Sequence, residues 1–143
     1  MGTPTNMATY RLEDLTPGLK HDFEIPLTAE LIDRFAGCSG DVSPIHMSAQ
    51  EAATRGFSGR VAHGMLLGSF LSRLVGCHLP GRHALLMNST FHFHKPCIEG
   101  DVVHVGGVID SVSPATNSVA MSFRFTVKDE LRAKATALVR LHA

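Results

Sequence analysis

The sequence predicts an α+β domain in which one long helix is buried against an antiparallel sheet. Residues 63–77 have the length of a helix and carry apolar side chains over most of its circumference, as a buried helix does. Four segments with strand character follow, over residues 85–94, 101–112, 118–127 and 134–142. One face of such a sheet can cover the helix, which gives the two packed layers that a domain requires.

The elements before the long helix are predicted to be short. Residues 23–27 are typical of an edge strand that ends at its proline. Thr28 is a good N-cap for a first helix, and we expect Gly37 and Gly40 to end it. Ser48 can cap a second short helix, and a turn-rich stretch leads from there to the long helix.

The strands after the long helix are predicted to pair in chain order as a meander. Pro80-Gly81 ends the helix, and Glu99-Gly100 marks a turn between the first two strands. The turns at residues 114–117 and 128–130 are short enough for antiparallel hairpins. One face of the third strand is apolar and predicts the core side of the sheet; its residues are Val119, Met121, Phe123 and Phe125.

Composition bounds the protein class. The 143 residues, 44% hydrophobic and 18% charged, predict one globular domain over 1–143, with residues 1–7 as a loose tail. Lys+Arg and Asp+Glu balance at 13 each, so neither a nucleic-acid partner nor a polybasic membrane anchor is expected. The three cysteines are far apart, and no signal-peptide or membrane-spanning pattern is present. We therefore expect a cytoplasmic protein with reduced thiols.

Asp41 and His46 lie in one short segment, Gly40-Asp41-Val42-Ser43-Pro44-Ile45-His46. Gly40 permits a tight backbone, while Pro44 fixes its own φ and favours an extended residue before it. We expect a loop that turns both side chains toward one point. An Asp and a His around one water are suited to the addition of water to a double bond. The spacing alone is equally typical of a turn aspartate beside a surface histidine.

Gly64 is predicted to begin the long helix. A backbone N–H at a helix start has no partner within the helix and lies at the positive end of its dipole. Such a group suits a thioester carbonyl that gains negative charge, and the missing side chain lets a ligand approach. Taken alone, the position is better explained by a glycine selected for close packing at a helix start.

Together these motifs resemble the MaoC-like (R)-specific enoyl-CoA hydratases, also called hydratase type 2. The family pattern S-G-D-x-N-P-x-H, with a small residue six positions after the His, is matched at Ser39, Gly40, Asp41, Pro44, His46 and Ala52. The family segment H-G-M-L-L is present at residues 63–67, and the pattern Phe-x-x-Pro…Gly-Asp at 93–96 and 100–101. The resemblance covers about residues 25–142. It departs from the family at Ser43, where the pattern has Asn.

The resemblance implies a hot-dog fold, a homodimer, and activity on trans-2-enoyl thioesters of CoA or acyl carrier protein. Asp41 and His46 would activate the water that adds to give the (R)-3-hydroxyacyl thioester, or the reverse. The Gly64 N–H would polarise the carbonyl. Supporting or substrate-binding roles would fall to Ser43, His63, Met65 and Ser72. The shorter Ser43 points to altered substrate choice, a dehydratase role or reduced activity. Ser72 is equally well explained by a hydroxyl bonded back within the helix.

Neither a metal nor a cofactor is expected. His92 and His94 share one face of a predicted strand, but no further ligand has suitable spacing. Arg60, Arg73 and Arg82 are candidates for carrier phosphates, although each is more typical of a solvated charge. Two other functions remain open from the sequence: thioester hydrolysis on the same fold, and a non-catalytic acyl-binding or interaction domain.

Overall fold

A five-stranded antiparallel sheet packs one face against the long helix. The computed structural model describes residues 6–142, so the tail predicted over residues 1–7 lies mostly outside the described residues. In chain order the elements are β1 (Lys20–Pro26), α1 (Ala29–Ser39), α2 (Pro44–Met47), α3 (Ala49–Thr54), α4 (Gly64–Arg73), a π-helical turn (Leu74–His78), β2 (Ala84–Phe93), β3 (Val102–Ser113), β4 (Ser118–Val127) and β5 (Glu130–Leu141).

The strands lie in the order β1-β3-β4-β5-β2. Strands β3, β4 and β5 form the expected hairpins, but β2 pairs with β5, with Phe93 opposite Ala133, so the predicted meander of all four strands is wrong. The segment after β2 explains why. Its first residues bond to the Arg132 carbonyl and Cys97 accepts a hydrogen bond from Ala62, so the chain crosses to the far side of β3–β5 instead of turning back.

The core lies between α4 and the inner face of the sheet. Gly107 of β3 has no side chain where the Leu74 and Phe123 side chains approach it. The prediction for β4 is confirmed, since its four apolar residues are buried. Helix α4 is less enclosed than its composition indicates: it buries one face and exposes Met65, Ser69, Ser72 and Arg73.

Local hydrogen bonds fix the ends of the short helices. Thr28 Oγ1 accepts from the Leu31 N–H at 3.1 Å, and Ser48 caps α3 in the same way. Gly40 ends α1 with a left-handed φ of 77°, as predicted. Gly37 does not end it, because a glycine inside a helix costs stability without stopping the hydrogen-bond pattern. Within residues 6–142, none of the helices has both the length and the apolar character needed to cross a membrane.

Candidate active site

His46 is held on the short helix α2, whereas the sequence predicted an open loop. Pro44 occupies the first turn, where its missing N–H costs nothing. The His46 Nδ1 lies 2.7 Å from the Val61 carbonyl oxygen, and the Val61 N–H donates to the Ile45 carbonyl at 3.1 Å. A carbonyl can only accept, so Nδ1 carries the proton and donates it. The lone pair of neutral His46 is therefore on Nε2.

The Asp41 carboxylate faces that lone pair. Asp41 Oδ1 accepts from the Ser43 backbone N–H at 3.2 Å, which fixes the direction of the group. Its Oδ2 lies 3.7 Å from His46 Nε2, too far for a direct hydrogen bond. Two acceptors thus point at the same space, and one molecule with two O–H bonds can donate to both. The two side chains that the sequence predicts as an acid–base pair are brought together.

Arg60 binds the backbone of the helix that carries His46. Its Nε donates to the His46 carbonyl at 2.6 Å, and its guanidinium bridges Asp33 and Glu99. Only 12% of the side chain is exposed. The expectation of a phosphate contact or a solvated charge at Arg60 is therefore wrong, because three acceptors from three segments surround the group.

His63 lies directly against His46. The ring centroids of His46 and His63 are 3.9 Å apart and the ring planes meet at 24°. The centroid of the Phe35 ring lies 4.8 Å from that of His63. His63 Nε2 lies 2.9 Å from the Asp41 carbonyl oxygen and so donates to it. The residue is 2% exposed, and its Nδ1 has no hydrogen-bond partner in the described part of the chain.

A cavity of about 270 Å³ opens beside these residues. Gly64, the first residue of α4, lies on its wall; a Cβ there would approach the Phe93 ring to 3.2 Å. Burial raises the pKa of the Cys97 thiol to about 11, so this wall residue stays protonated and is a poor nucleophile. The lining comprises His46, Val61, Ala62, His63, Gly64, Leu67, Phe93, His94, Lys95, Pro96 and Cys97.

The other predicted supporting residues lie around this cavity without lining it. Ser43 contributes its backbone N–H to Asp41 and makes no side-chain cap for α2. Met65, next to Gly64 in the chain, is 56% exposed. Ser72 lies two turns further along α4 on its exposed side. The roles assigned to these three side chains stay predictions.

Asp41, His46 and His63 each place one potential ligand atom within 4.8 Å of the others. An imidazole binds a metal through the lone pair in its ring plane. Because the two rings are stacked, their lone pairs run in nearly parallel planes and do not converge on one ion. One nitrogen of each ring also serves a backbone carbonyl. The geometry favours a hydrogen-bonded acid–base site over a metal centre.

Comparison with known proteins identifies the family. The model of the MaoC like domain matches residues 14–130. The chain belongs to the MaoC-like domain family. It is 31% identical over 129 residues to a 3-hydroxybutyryl-CoA dehydratase of Methylorubrum extorquens, covering 90% of this chain and 82% of that protein. It is 30% identical to an (R)-specific enoyl-CoA hydratase of Rhodospirillum rubrum, covering 94% of each.

The MaoC-like fold is also that of a solved (R)-hydratase from A. caviae. That structure superposes with a TM-score of 0.87 at 27% identity, over 91% of this chain and 99% of the other. The single sheet with its central helix is thus the hot-dog arrangement that the family resemblance implied. What the sequence did not reveal in this MaoC-like site is the brace at Arg60 and the contact of Phe93 with the start of α4. The contacts of Arg60 join residues 14 to 39 positions apart, and Phe93 lies 29 positions after Gly64, so no local pattern records them.

Proposed function

We propose that this MaoC-like hydro-lyase adds water to trans-2-enoyl thioesters to give (R)-3-hydroxyacyl thioesters, and catalyses the reverse dehydration. The activities named for its two relatives are the two directions of such a reaction. The observation that carries the proposal is the facing pair of acceptors, Asp41 Oδ2 and His46 Nε2, at 3.7 Å, with His46 in the wall of the same cavity as Gly64. Such a pair suits a water that must be both oriented and deprotonated.

In the proposed reaction, a water donates one O–H to Asp41 and the other to His46. Its oxygen bonds to C3 of the enoyl group as the pair removes one proton. The π electrons of the double bond move onto C2 and the thioester carbonyl, which gives an enolate. The pair then returns one proton to C2, so the site ends in its starting protonation state. This balance requires no oxidant, reductant or cofactor.

Gly64 is the proposed donor to the enolate oxygen. Its N–H is the first of a ten-residue helix and has no acceptor one turn earlier within α4. The helix dipole adds positive potential at this end. Negative charge grows on the carbonyl oxygen only as water adds, so this donor stabilises the transition state more than the substrate. Phe93 packs beside Gly64 and leaves little room there for a side chain.

The substrate class proposed is the acyl thioester, on CoA or on an acyl carrier protein.

We further propose a homodimer formed through β2, an edge strand that exposes Leu85, Leu86 and Met87. A long apolar edge is normally covered in a stable protein. A second copy would also cover the exposed side of α4, where Met65 and Ser72 lie.

Substitution of the pair tests the proposal. Asp41→Asn and His46→Ala should each lower kcat for hydration of crotonyl-CoA by roughly 10²- to 10⁴-fold, because each removes one partner of the water. The chain offers a matched control on the outer face of the sheet, where His104 and Asp22 are paired at 2.9 Å. Asp22→Asn and His104→Ala should leave kcat unchanged. Full activity in Asp41→Asn and His46→Ala would overturn the proposal.

Two assays separate the remaining functions. The product of hydration is resolved by chiral chromatography, and the (R) isomer is expected. Release of free thiol from a saturated acyl-CoA, followed with a thiol reagent, would indicate thioester hydrolysis instead. Binding of enoyl-CoA and enoyl-carrier protein without turnover would indicate an acyl-binding domain.

A further inference from the structure

His63 contacts both members of the pair and also has a buried nitrogen without a partner, which stability alone does not explain. It is almost fully buried, it stacks on the ring of His46, and it donates one hydrogen bond to the Asp41 carbonyl. The remaining ring nitrogen, Nδ1, is buried without a partner among the described residues. A buried acceptor left unpaired is destabilising, and an apolar ring of the same size would avoid that loss.

The tautomer of His63 follows from its one hydrogen bond. The Asp41 carbonyl can only accept, so His63 is protonated on Nε2 and Nδ1 carries a lone pair. The bond joins residues 22 positions apart and ties the start of α4 to the segment that carries the carboxylate. The same ring limits the rotation of His46 by stacking against it at 3.9 Å. One side chain therefore touches both members of the pair.

We propose that His63 is a positioning residue that fixes the separation of Asp41 and His46, retained at a loss of stability. It anchors Asp41 through the backbone carbonyl and His46 through the ring face, and it does not itself exchange a proton with substrate. The proposal rests on the proposed function of the pair, since it concerns how the pair is aimed. It assigns to His63 a role that differs from binding the acyl group or beginning the helix.

The test uses His63→Phe, which keeps a ring for stacking and removes both the donor and the unpaired nitrogen. We expect kcat for crotonyl-CoA hydration to fall roughly tenfold to a hundredfold with KM within about twofold, because misplacement affects the transition state more than binding. The Tm of the variant should be equal to or above that of the unsubstituted protein. His63→Gln keeps a side-chain N–H that can donate to the Asp41 carbonyl. Its kcat should lie between the kcat of the unsubstituted protein and that of His63→Phe.

His78 is the matched control. Its Nε2 is also buried without a partner in the described residues, and its ring stacks on His21 at 4.4 Å, away from the catalytic pair. His78→Phe should raise or maintain the Tm and leave kcat unchanged. Any loss of kcat in His78→Phe equal to that in His63→Phe would show a general effect of burying a ring, and would overturn the proposal.

The outcomes separate this proposal from the proposed function. If Asp41→Asn and His46→Ala are inactive but His63→Phe keeps the full kcat, the pair is catalytic and the role of His63 is wrong. A clear fall in Tm for His63→Phe contradicts the loss of stability ascribed to the unpaired nitrogen. If His63→Gln is no better than His63→Phe, the hydrogen bond to Asp41 is not the link. If the pair variants are fully active, the proposed function itself fails.

Discussion

His46 and His63 differ in which ring nitrogen carries the proton, and a backbone carbonyl decides this in each case. Val61 accepts from Nδ1 of His46 and leaves Nε2 free toward Asp41. Asp41 accepts from Nε2 of His63 and leaves Nδ1 free. At the residue scale, identical side chains are thus held in different tautomers, which suits the roles proposed for them: proton acceptor for His46 and support for His63. No sequence pattern carries this difference, because both partners are main-chain atoms.

Gly64 gives a prediction at the same scale. Gly64→Ala places a Cβ 3.2 Å from the Phe93 ring, so the ring must shift slightly in the wall of the cavity that the thioester is proposed to use. We expect kcat/KM for crotonyl-CoA to fall by about ten- to a hundredfold, since small misplacements at a reacting centre are costly. Steady-state kinetics on the purified variant measures this.

Gly76 is the control for Gly64→Ala. It lies in the π-helical turn, and an added Cβ there meets nothing within 4 Å. Gly76→Ala should keep full activity and gain up to about 1 kcal/mol from helix propensity. Unchanged kinetics in Gly64→Ala would argue against a close approach of substrate at this helix start.

At the element scale, the short helices α1 and α3 were predictable, whereas α2 and the pairing of β2 were not. Thr28, Gly40 and Ser48 form cap hydrogen bonds with residues at most four positions away, so the sequence pattern predicts where these helices begin or end. The pairing of β2 with β5 joins residues 40 to 57 positions apart, from Phe93 with Ala133 to Ala84 with Leu141, and depends on where the intervening segment is bound. The candidate pair was found because both members lie in one segment, whereas the contacts of Arg60 and His63 arise only from tertiary packing.

The π-helical turn after α4 gives a prediction about pH. Burial lowers the pKa of His78 below its usual value near 6.5, and the neighbouring His21 and Arg73 lower it further. The unfolded chain therefore binds the proton more readily than the folded one. Above about pH 6.5 His78 is neutral in both states and does not oppose folding. As the pH falls through that value, the free energy of unfolding decreases, because the unfolded chain takes up the proton first.

His78→Phe isolates that effect. Urea unfolding at pH 7.5, 6.5 and 5.5 should show that the free energy of unfolding falls as the pH is lowered, and that it falls less steeply in the variant. The difference between the two curves removes the contribution of the other histidines. Parallel curves would mean that His78 titrates alike in the folded and unfolded chains.

At the scale of the whole molecule, the two edges of the sheet differ in their protection. Strand β1 has seven residues, presents Lys20, Asp22 and Glu24 outward and ends at Pro26, as edges exposed to solvent often do. Strand β2 has ten residues and exposes Leu85 by 50% and Met87 by 44%. A neutral protein with such an edge would be expected to associate through it.

Met87→Asp tests association through β2. Met87 lies at a break in the pairing of β2 with β5, so the substitution should disturb the fold little. A buried, unpaired carboxylate at a subunit contact is strongly unfavourable, whereas the same charge in water is harmless. Light scattering after gel filtration should give twice the mass of one chain for the unsubstituted protein and a single chain for Met87→Asp. Lys20→Asp on β1 should leave the dimer intact. A dimer that survives Met87→Asp would exclude β2 as the contact. If the Met87→Asp monomer loses activity, the exposed side of α4 needs the second subunit for turnover.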